Sequence, residues 1–349
     1  MGNIVLISTT IVSRIRFGAV VFAALAAGCS SGWIGTPAPQ KALPPALAVN
    51  ASAARLYVDS AQKVLVFQSD GSLARTIKTG GIDSCGVLKF DAAGNLYVGD
   101  ILHNAVTVYS KGSNAVLRRI TSGIDYPCGL TFDSSGNLYV SNNSGIRPTS
   151  QGSVTVYAPR STNVLRTITS GMNRPSSMTF DERGNLYVLN MNGNAGITIY
   201  AHDSTSLLRR IRKGVSDAAE IRFDPKGNLY CVNYYNVTVY APGKTSPVRT
   251  ITNGISDPFS PTFDASGNLY IANAGNNTVT VYAPGSIKVM RAIKSGLAAP
   301  NTLAFDSLGN LYVANSTGNT VTVYAPGGSS VLRTISTGRV SPNGLAFGP

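Results

Sequence analysis

Apolar and polar residues alternate in short stretches that recur along most of the chain. In "NLYVAN", Leu311 and Val313 alternate with Tyr312 and Ala314, which is the two-residue period of a β-strand with one side chain set on each face. Stretches of this kind begin at Leu56, Leu96, Leu138, Leu186, Leu229, Leu269 and Leu311. Stretches similar to "VLRTI" follow them and end at Ile77, Ile120, Ile168, Ile211, Ile251, Ile293 and Ile335. A third stretch, "TVTVYAP" in its clearest copies, lies between the two. The pattern predicts short strands joined by tight turns.

A turn motif, "FDxxGN", precedes six of the seven "LYV"-type strands. Its Phe stands at positions 90, 132, 180, 223, 263 and 305, so the spacings are 42, 48, 43, 40 and 42 residues. The Asp side chain is expected to accept hydrogen bonds from the backbone amides ahead of it, and the Gly tolerates a positive φ. A period of about 40–45 residues with four short strands is typical of a β-propeller blade. Within each blade we name the strands A to D from the centre outwards.

The two ends of the repeat complement each other. The first copy, from Arg55 to Gly80, has strands B, C and D but no strand A, and the last residues, Ser341 to Pro349, form a strand A with nothing after it. The last segment is therefore expected to supply the inner strand of blade one. The prediction is an all-β, seven-bladed propeller of four-stranded antiparallel blades over residues 54–349, closed by pairing the C-terminal strand A with the N-terminal strands.

The "FDxxGN", "LYV" and "VLRTI" phrases resemble those of NHL-repeat proteins, and the blade number resembles the virginiamycin B lyase type of propeller. The resemblance implies the fold; propellers of this kind include lyases, lactonases and binding platforms. The lyases use His and Glu around a divalent cation, and this site does not carry over, because the chain has only His103 and His202. Metal-dependent lactonases use a carboxylate with Asn and Asp at the channel mouth. Glu220, Asn301 and Asn343, near the starts of three A strands, are weak candidates for such a set; the alternative is that they only cap strand ends.

The N-terminal segment predicts export. Arg14 and Arg16 precede the apolar run Phe17 to Gly28, which is too short to span a bilayer and is typical of a signal peptide. The ending "LAAGC" resembles a bacterial lipobox, so residues 1–28 are predicted to be removed and Cys29 to be acylated. Residues 29–53 then form a flexible tether. The expected location is the cell envelope, on the outer membrane or the periplasmic face, with simple secretion as the alternative.

The basic residues are concentrated on strand D. The chain has a formal net charge of +13, and thirteen Lys and Arg lie in or beside the D strands. We interpret them as protection of the outermost strand edges against pairing with other molecules. No stripe of aromatic and basic residues supports a nucleic-acid partner, and a monomer is expected.

The face formed by the D–A and B–C connections is the predicted functional face, because these loops differ most between copies. Its candidate ligand-binding residues are Asp100, His103, Arg147, Asp217, Glu220, Tyr234, Tyr235, Asp257, Phe259, Asn301 and Asn343. The residue four places after each "LYV" Leu, commonly Asn, is expected to bond the B–C loop backbone instead.

Two cysteines are candidates for a disulfide. Cys85 and Cys128 occupy the mouth end of strand A in adjacent blades, and an oxidising envelope permits either a bridge or two thiols. Cys231 replaces a Val of strand B and is expected to be a buried thiol.

Two function hypotheses remain at this point. The first is a non-enzymatic envelope lipoprotein that binds a protein or a small polar ligand on the loop face. The second is a periplasmic lactonase or lyase with a divalent cation at the channel mouth. No cofactor is identified from the sequence, and the catalytic residues stay unknown.

Overall fold

A computed structural model describes residues 54–60, 63–78, 87–144, 151–191 and 196–349. The predicted signal peptide, the tether and the acylated Cys29 lie outside the described residues. Arg147 and Cys85 also lie outside them, so the assignment of Arg147 to the loop face and the Cys85–Cys128 bridge stay predictions.

The strands fall into seven antiparallel sheets of four. Blade one has β1 (Arg55–Ser60), β2 (Lys63–Phe67), β3 (Leu73–Lys78) and, as its inner strand, β28 (Gly344–Gly348). Blade two has β4 (Leu88–Phe90), β5 (Leu96–Asp100), β6 (Ala105–Tyr109) and β7 (Val116–Ile120). Blade three has β8 (Pro127–Phe132), β9 (Leu138–Asn142), β10 (Ser153–Tyr157) and β11 (Val164–Ile168).

The remaining blades repeat this order. Blade four has β12 (Pro175–Phe180), β13 (Leu186–Asn190), β14 (Ile197–Tyr200) and β15 (Leu207–Ile211). Blade five has β16 (Ala218–Phe223), β17 (Leu229–Asn233), β18 (Val237–Tyr240) and β19 (Arg249–Ile251). Blade six has β20 (Pro258–Phe263), β21 (Leu269–Asn273), a 3₁₀ turn (Ala274–Asn276), β22 (Thr278–Tyr282) and β23 (Val289–Ile293). Blade seven has β24 (Pro300–Phe305), β25 (Leu311–Asn315), β26 (Thr320–Tyr324) and β27 (Val331–Ser336).

The ring closes as the sequence predicts. Strand β28 pairs antiparallel with β1, from Arg55 opposite Gly348 to Asp59 opposite Gly344. The Tyr57 hydroxyl also donates to the carbonyl oxygen of Pro349 at 2.6 Å. The prediction of a seven-bladed propeller with both ends of the repeat in blade one is confirmed.

The A–B turns owe their shape to one carboxylate each. In blade four, Asp181 Oδ1 accepts from the amides of Arg183 at 3.0 Å and Asn185 at 2.8 Å, while Oδ2 accepts from the Asn185 side chain at 2.8 Å. Gly184 completes the turn with a φ of 77°, in the region that favours glycine. The same bonds recur at Asp91, Asp133, Asp224, Asp264 and Asp306.

Adjacent blades meet at a Tyr–Phe contact that recurs around the ring. The Tyr of strand B contacts the last Phe of strand A in the next blade edge to face, with centroids 4.9–5.1 Å apart. The contact between Tyr312 and Phe347 joins blade seven to blade one in the same geometry. Such aromatic pairs contribute about 0.5–1.5 kcal/mol each beyond the area they bury.

One arginine of each strand D has a role that the edge-protection interpretation did not include. In each of the seven blades its guanidinium donates to the Tyr hydroxyl of the same blade, as Arg333 does to Tyr312 at 2.7 Å. Five of these guanidinium groups lie over the Tyr ring, 5.5–5.9 Å from its centroid. Arg209 also reaches the carbonyl oxygen of Gly243 in the next blade at 3.1 Å. We call the Arg, its Tyr and the next blade's Phe the seam.

The Asn residues that end strand B bond the D–A connection, a contact that the sequence did not predict. The Oδ1 atom of Asn315 accepts from the amide of Ala298 at 3.0 Å, in the D–A connection, and its Nδ2 donates to Thr322 Oγ1 at 2.9 Å. Asn142, Asn190, Asn233 and Asn273 repeat the D–A bond. The expected bond to the B–C loop backbone forms as well at two of the seven positions: Asn190 Nδ2 donates to the carbonyl oxygen of Gly196 at 3.0 Å, and Asp100 Oδ1 accepts from the backbone amide of His103 at 3.0 Å. The expectation is confirmed at these two positions, and the bond to the D–A connection is a further role that it did not include. No helix within the described residues has the length and apolar character that crossing a membrane requires.

The seam can be tested with a double-mutant cycle on Arg333 and Tyr312. We expect Arg333→Met and Tyr312→Phe each to lower the free energy of unfolding, and the pair to show a coupling of about 1 kcal/mol, since both lose the same hydrogen bond. Denaturant unfolding of the four proteins gives the coupling. Arg339→Met, at an exposed loop position, is the control for loss of one charge. Additive effects of the two substitutions would contradict the seam.

Candidate functional site

The mouth end of the inner strands is irregular in five blades. The register between strands A and B shifts at Pro127/Gly129, Pro175/Met178, Ala218/Glu220, Phe259/Thr262 and Pro300/Thr302. A bulge turns side chains away from the regular alternation and is frequent beside functional sites. Asn301 is the extra residue of its bulge, and Glu220 directly follows one. Both candidates therefore lie where the strand geometry changes.

Hydroxyl groups of the inner strands bond the backbone of the next blade. Ser260 Oγ accepts from the Leu303 amide at 3.0 Å, and Thr302 Oγ1 donates to the Asn343 carbonyl at 3.0 Å. Ser260 and Thr302 stand three residues before the last Phe of strand A. Ser177 stands at the same position and bonds Ile221 in the next blade. The inner strand has no further strand to pair with, so these side chains satisfy backbone groups that face the channel.

Glu220 takes this hydroxyl position in blade five. Its side chain is buried, with 2% of its surface exposed. Oε1 accepts from Arg222 at 3.0 Å, whereas Oε2 is buried with no hydrogen-bond partner. Burial raises the pKa of Glu220 to about 7, while Arg222, the charge of Lys89 and a hydrogen bond from the backbone of Ser260 act in the opposite direction. A carboxyl group with this pKa exchanges its proton near neutral pH.

A second buried oxygen without a partner belongs to Asn301. Its amide nitrogen donates to the Pro342 carbonyl at 3.1 Å, which fixes the side chain, but Oδ1 has no partner. Asn343, the third member of the expected set, is half-buried, and its backbone N–H donates to the carbonyl oxygen of Asp59 at 2.8 Å. Unsatisfied buried acceptors are costly and rare, so each of these two oxygen atoms indicates a place for a donor.

Two cations act on the carboxyl group of Glu220. Arg222 and Lys89 stand at the same position of their strands, directly before the Phe, in blades five and two. These blades lie on opposite sides of a seven-membered ring, and yet the charge of Lys89 acts on Glu220. We call Glu220, Arg222 and Lys89 the channel cluster. Arg222 and Lys89 were not among the candidates predicted from the sequence, although they replace Thr or Ala at an otherwise uncharged repeat position.

The channel cluster does not fit a divalent cation. The described residues contain no group of three or more His, Cys, Asp or Glu side chains that would hold a metal ion. Glu220 is the one carboxylate of the cluster, and its neighbours Arg222 and Lys89 already supply positive charge. A divalent ion prefers several anionic or neutral oxygen ligands without adjacent cations. The weak metal assignment of Glu220, Asn301 and Asn343 therefore gains no support.

The other candidates occupy several environments on the loop face. Asp100 is fully buried and accepts from His103 Nδ1 at 2.9 Å and from Arg119 at 3.4 Å. The His103 side chain keeps 47% exposure. Asp100 thus fixes the imidazole through Nδ1, and Nε2 takes no part in this bond.

The aromatic candidates divide into exposed and buried. Tyr234 and Tyr235 are 45% and 77% exposed and contact each other edge to face at 4.6 Å, whereas Phe259 packs inside an apolar cluster with Tyr270 and Ala272. Asp217 is exposed; Asp257 is half-buried, which raises its pKa. Tyr234 and Tyr235 are the accessible aromatic surface among these candidates.

The cysteines within the described residues are buried. Cys128 belongs to the apolar cluster between blades two and three. Cys231 is a fully buried free thiol, as predicted, and burial raises its pKa to about 12. A thiol with this pKa is not a nucleophile at neutral pH.

A separate cavity of about 220 Å³ lies at the opposite end of the ring, between the turns of blades four and five. Glu182, Arg183, Lys226 and Lys244 contribute to its walls. It contains none of the predicted ligand-binding residues.

Comparison with known proteins identifies a propeller family. The family model described as "SMP-30/Gluconolactonase/LRE-like region" matches residues 84–314, and no curated protein matches the chain. The match agrees with the propeller fold and does not confirm the NHL or virginiamycin B lyase resemblance.

The buried carboxyl group predicts a pH dependence of stability. Glu220 binds its proton more tightly in the folded protein than at its ordinary pKa of 4.5. Its contribution to stability is therefore complete below pH 4.5 and is lost as the pH rises through about 7. We expect the melting temperature of the native protein, relative to Glu220→Gln, to fall across this window in calorimetry. Glu182→Gln, at an exposed turn position, is the matched control. A melting-temperature difference between the native protein and Glu220→Gln that does not change with pH would contradict the raised pKa of Glu220.

Proposed function

The chain belongs to the SMP-30/gluconolactonase/LRE-like family, and on that premise we propose that it hydrolyses a small lactone or ester at the mouth of its central channel. The observation that carries the proposal is Glu220, a buried carboxyl group with an unpartnered Oε2 and a pKa of about 7. Family membership supports hydrolysis of a lactone or ester as the reaction, and the channel cluster supports the channel mouth as its location.

In the proposed reaction Glu220 acts as a general base. Its carboxylate takes a proton from a water molecule, whose oxygen attacks the carbonyl carbon of the lactone. The positive charges of Arg222 and Lys89 stabilise the oxyanion that forms. The ring C–O bond then breaks, and Glu220 returns its proton to the leaving alkoxide oxygen. Every proton and electron pair is accounted for by water, substrate and this carboxyl group.

The seams support this role by fixing the inner strands. Glu220 and Arg222 lie on β16, directly before Phe223, and that Phe contacts Tyr187 of blade four at 5.0 Å. The proposed base therefore lies on a strand that an aromatic contact holds against the neighbouring blade. Groups held on rigid elements keep the geometry that proton transfer requires.

Hydrolysis of a panel of five- and six-membered lactones and aryl esters tests the proposal. We expect kcat/KM to rise with pH and to level off above about pH 7, because the base must be ionised. Glu220→Gln is expected to lower kcat by roughly 10²–10⁴-fold, and Glu182→Gln to leave it unchanged. Activity should persist in the presence of a metal chelator.

Two results would contradict this proposal in different ways. Equal rates for Glu220→Gln and the native protein would exclude Glu220 as the base. Loss of activity on chelation, with recovery on adding a divalent cation, would replace the metal-free reaction by a metal-dependent one.

A second candidate function is binding of an envelope protein on the loop face. Tyr235, with 77% of its surface exposed beside Tyr234, favours this role because exposed Tyr residues are frequent at interfaces. The lipid anchor proposed at Cys29 would keep such a platform at the envelope.

Cross-linking in intact envelopes tests the platform. A photoreactive group placed at Tyr235 is expected to give a discrete adduct with another protein, whereas the same group at Tyr57, which is buried, gives none. The double substitution Tyr234→Ser and Tyr235→Ser should abolish copurification of that protein. An adduct pattern identical to that of a random exposed position such as Leu308 would contradict the platform.

A further inference from the structure

The cavity between the turns of blades four and five carries an excess of positive charge. Its volume is about 220 Å³, and four cationic side chains and two carboxylates contribute to its walls. The cations are Arg183, Arg209, Lys226 and Lys244, and the carboxylates are Asp181 and Glu182. We call this cavity the turn cavity. It lies at the end of the ring opposite the channel mouth, so its chemistry is independent of the proposed hydrolysis.

Two contacts bring blade four against the turns of blade five at this cavity. Arg209 donates to the carbonyl oxygen of Gly243, in the C–D turn of blade five, at 3.1 Å. Glu182 Oε1 lies 4.0 Å from the point that a Cβ atom on Gly227 would occupy, in the A–B turn of blade five. The turn cavity therefore lies between side chains of both blades, with Tyr187 as part of its wall.

The A–B turns carry charge at their variable positions only in these two blades. Among the six "FDxxGN" turns, blade four has Glu182 and Arg183 at the two variable positions, and blade five has Lys226 at the second. The other four turns read "FDAAGN", "FDSSGN", "FDASGN" and "FDSLGN". Because the Asp, Gly and Asn form the turn, it does not require charge at the variable positions. The charges are a departure from the repeat that coincides with the cavity.

Lys244 replaces a residue that stabilises the C–D turn elsewhere in the ring. Its backbone N–H donates to the carbonyl oxygen three residues earlier, as the corresponding Ser does in blades two, three, four and six. In those four blades the Ser hydroxyl oxygen also accepts from the amide two residues ahead at 3.0 Å. Lys244 has no hydroxyl group, so blade five lacks this bond and has a cation at the cavity instead.

The three exposed cations of the turn cavity are unpaired. Among the residues that the structure describes, no carboxylate forms an ion pair with Arg183, Lys226 or Lys244. Asp181 uses both of its carboxylate oxygen atoms to accept hydrogen bonds inside its own turn. Four positive charges thus stand against two negative charges, which leaves a net charge of about +2 in the cavity.

A ligand that matches this charge carries about two negative charges. A phosphomonoester carries about −1.5 to −2 at pH 7, whereas a carboxylate or a phosphodiester carries roughly half as much. Lys and Arg side chains only donate hydrogen bonds, and phosphate oxygen atoms accept them. The cavity is smaller than the roughly 300–1,000 Å³ of sites for drug-sized ligands, so it suits a small group. We propose that the turn cavity binds a phosphomonoester group, held by Arg183, Lys226 and Lys244.

A phosphomonoester group occurs both in small phosphate esters and in the headgroup of a lipid such as phosphatidic acid. Strand β1 begins at the same end of the ring as the turn cavity, because Arg55 pairs with Gly348 at the far end of the inner strand. The lipid anchor proposed at Cys29 would therefore attach to this end. Both sources of the group are tested.

Methyl phosphate and dimethyl phosphate test the match of charge in calorimetric titration of the full chain at neutral pH and low ionic strength. We expect methyl phosphate to bind at least tenfold more tightly than dimethyl phosphate. The double substitution Lys226→Ser and Lys244→Ser is expected to weaken methyl phosphate at least tenfold. It introduces residues that other blades already have at these positions, so the ring is expected to stay intact, and a melting curve checks this. Lys288→Ser, at an exposed C–D turn position of blade six, is the matched control and should bind as the native protein does.

Cosedimentation with vesicles distinguishes the two sources. The Cys29→Ala chain, which has no acyl group, is mixed with phosphatidylcholine vesicles that contain or lack phosphatidic acid. A preference for phosphatidic acid that the double substitution abolishes would assign the turn cavity to a lipid headgroup. Binding of methyl phosphate without such a preference would assign it to a small phosphate ester.

Four results would overturn the proposal. They are equal affinity for methyl phosphate and dimethyl phosphate, unchanged binding after the double substitution, the same loss in Lys288→Ser, and no binding of either methyl phosphate or phosphatidic acid vesicles.

Discussion

The contact between neighbouring blades is the constraint on which the rest of this structure depends. A single four-stranded sheet buries neither of its faces, so a blade acquires a core only when the next blade covers it. The seam determines which residues of two neighbouring blades come into contact. The strand-B Tyr receives the Phe of the next blade on one side and its own strand-D Arg on the other, as at Tyr312 with Phe347 and Arg333. Blade spacing and blade angle follow from this unit.

The inner ring shows how a functional position arises from a structural one. Ser177, Ser260 and Thr302 place hydroxyl groups against the next blade's backbone and so satisfy the edge that faces the channel. Glu220 stands at the same position with a longer, charged side chain. The repeat determines where this side chain lies, and the departure from the repeat, Glu in place of Ser or Thr, provides the carboxyl group. The proposed reaction depends on this departure.

The fold was predictable because its determinants are local and repeated. The Asp of each "FDxxGN" turn bonds residues two and four positions ahead of it, and this pattern is visible in any one copy. The channel cluster was only partly predictable. Glu220 was visible as a polar residue near the start of a strand, but Lys89 acts on Glu220 from three blades away, and no periodicity links positions 89 and 220. The hydrogen bond of the strand-D Arg was not predicted for a similar reason, since its Tyr lies about half a repeat earlier in the chain.

The closing seam between blades seven and one also determines how the protein can come apart. Linear repeat proteins have terminal repeats that lack a neighbour, and they fray from those ends. Here Tyr312 meets Phe347 as every other strand-B Tyr meets its Phe, so no blade is terminal and no seam is weaker by position alone. Opening any one seam leaves two uncovered blades at once. Amide exchange in the strand cores should therefore report a single collective opening, shared by blades that lie far apart in the chain.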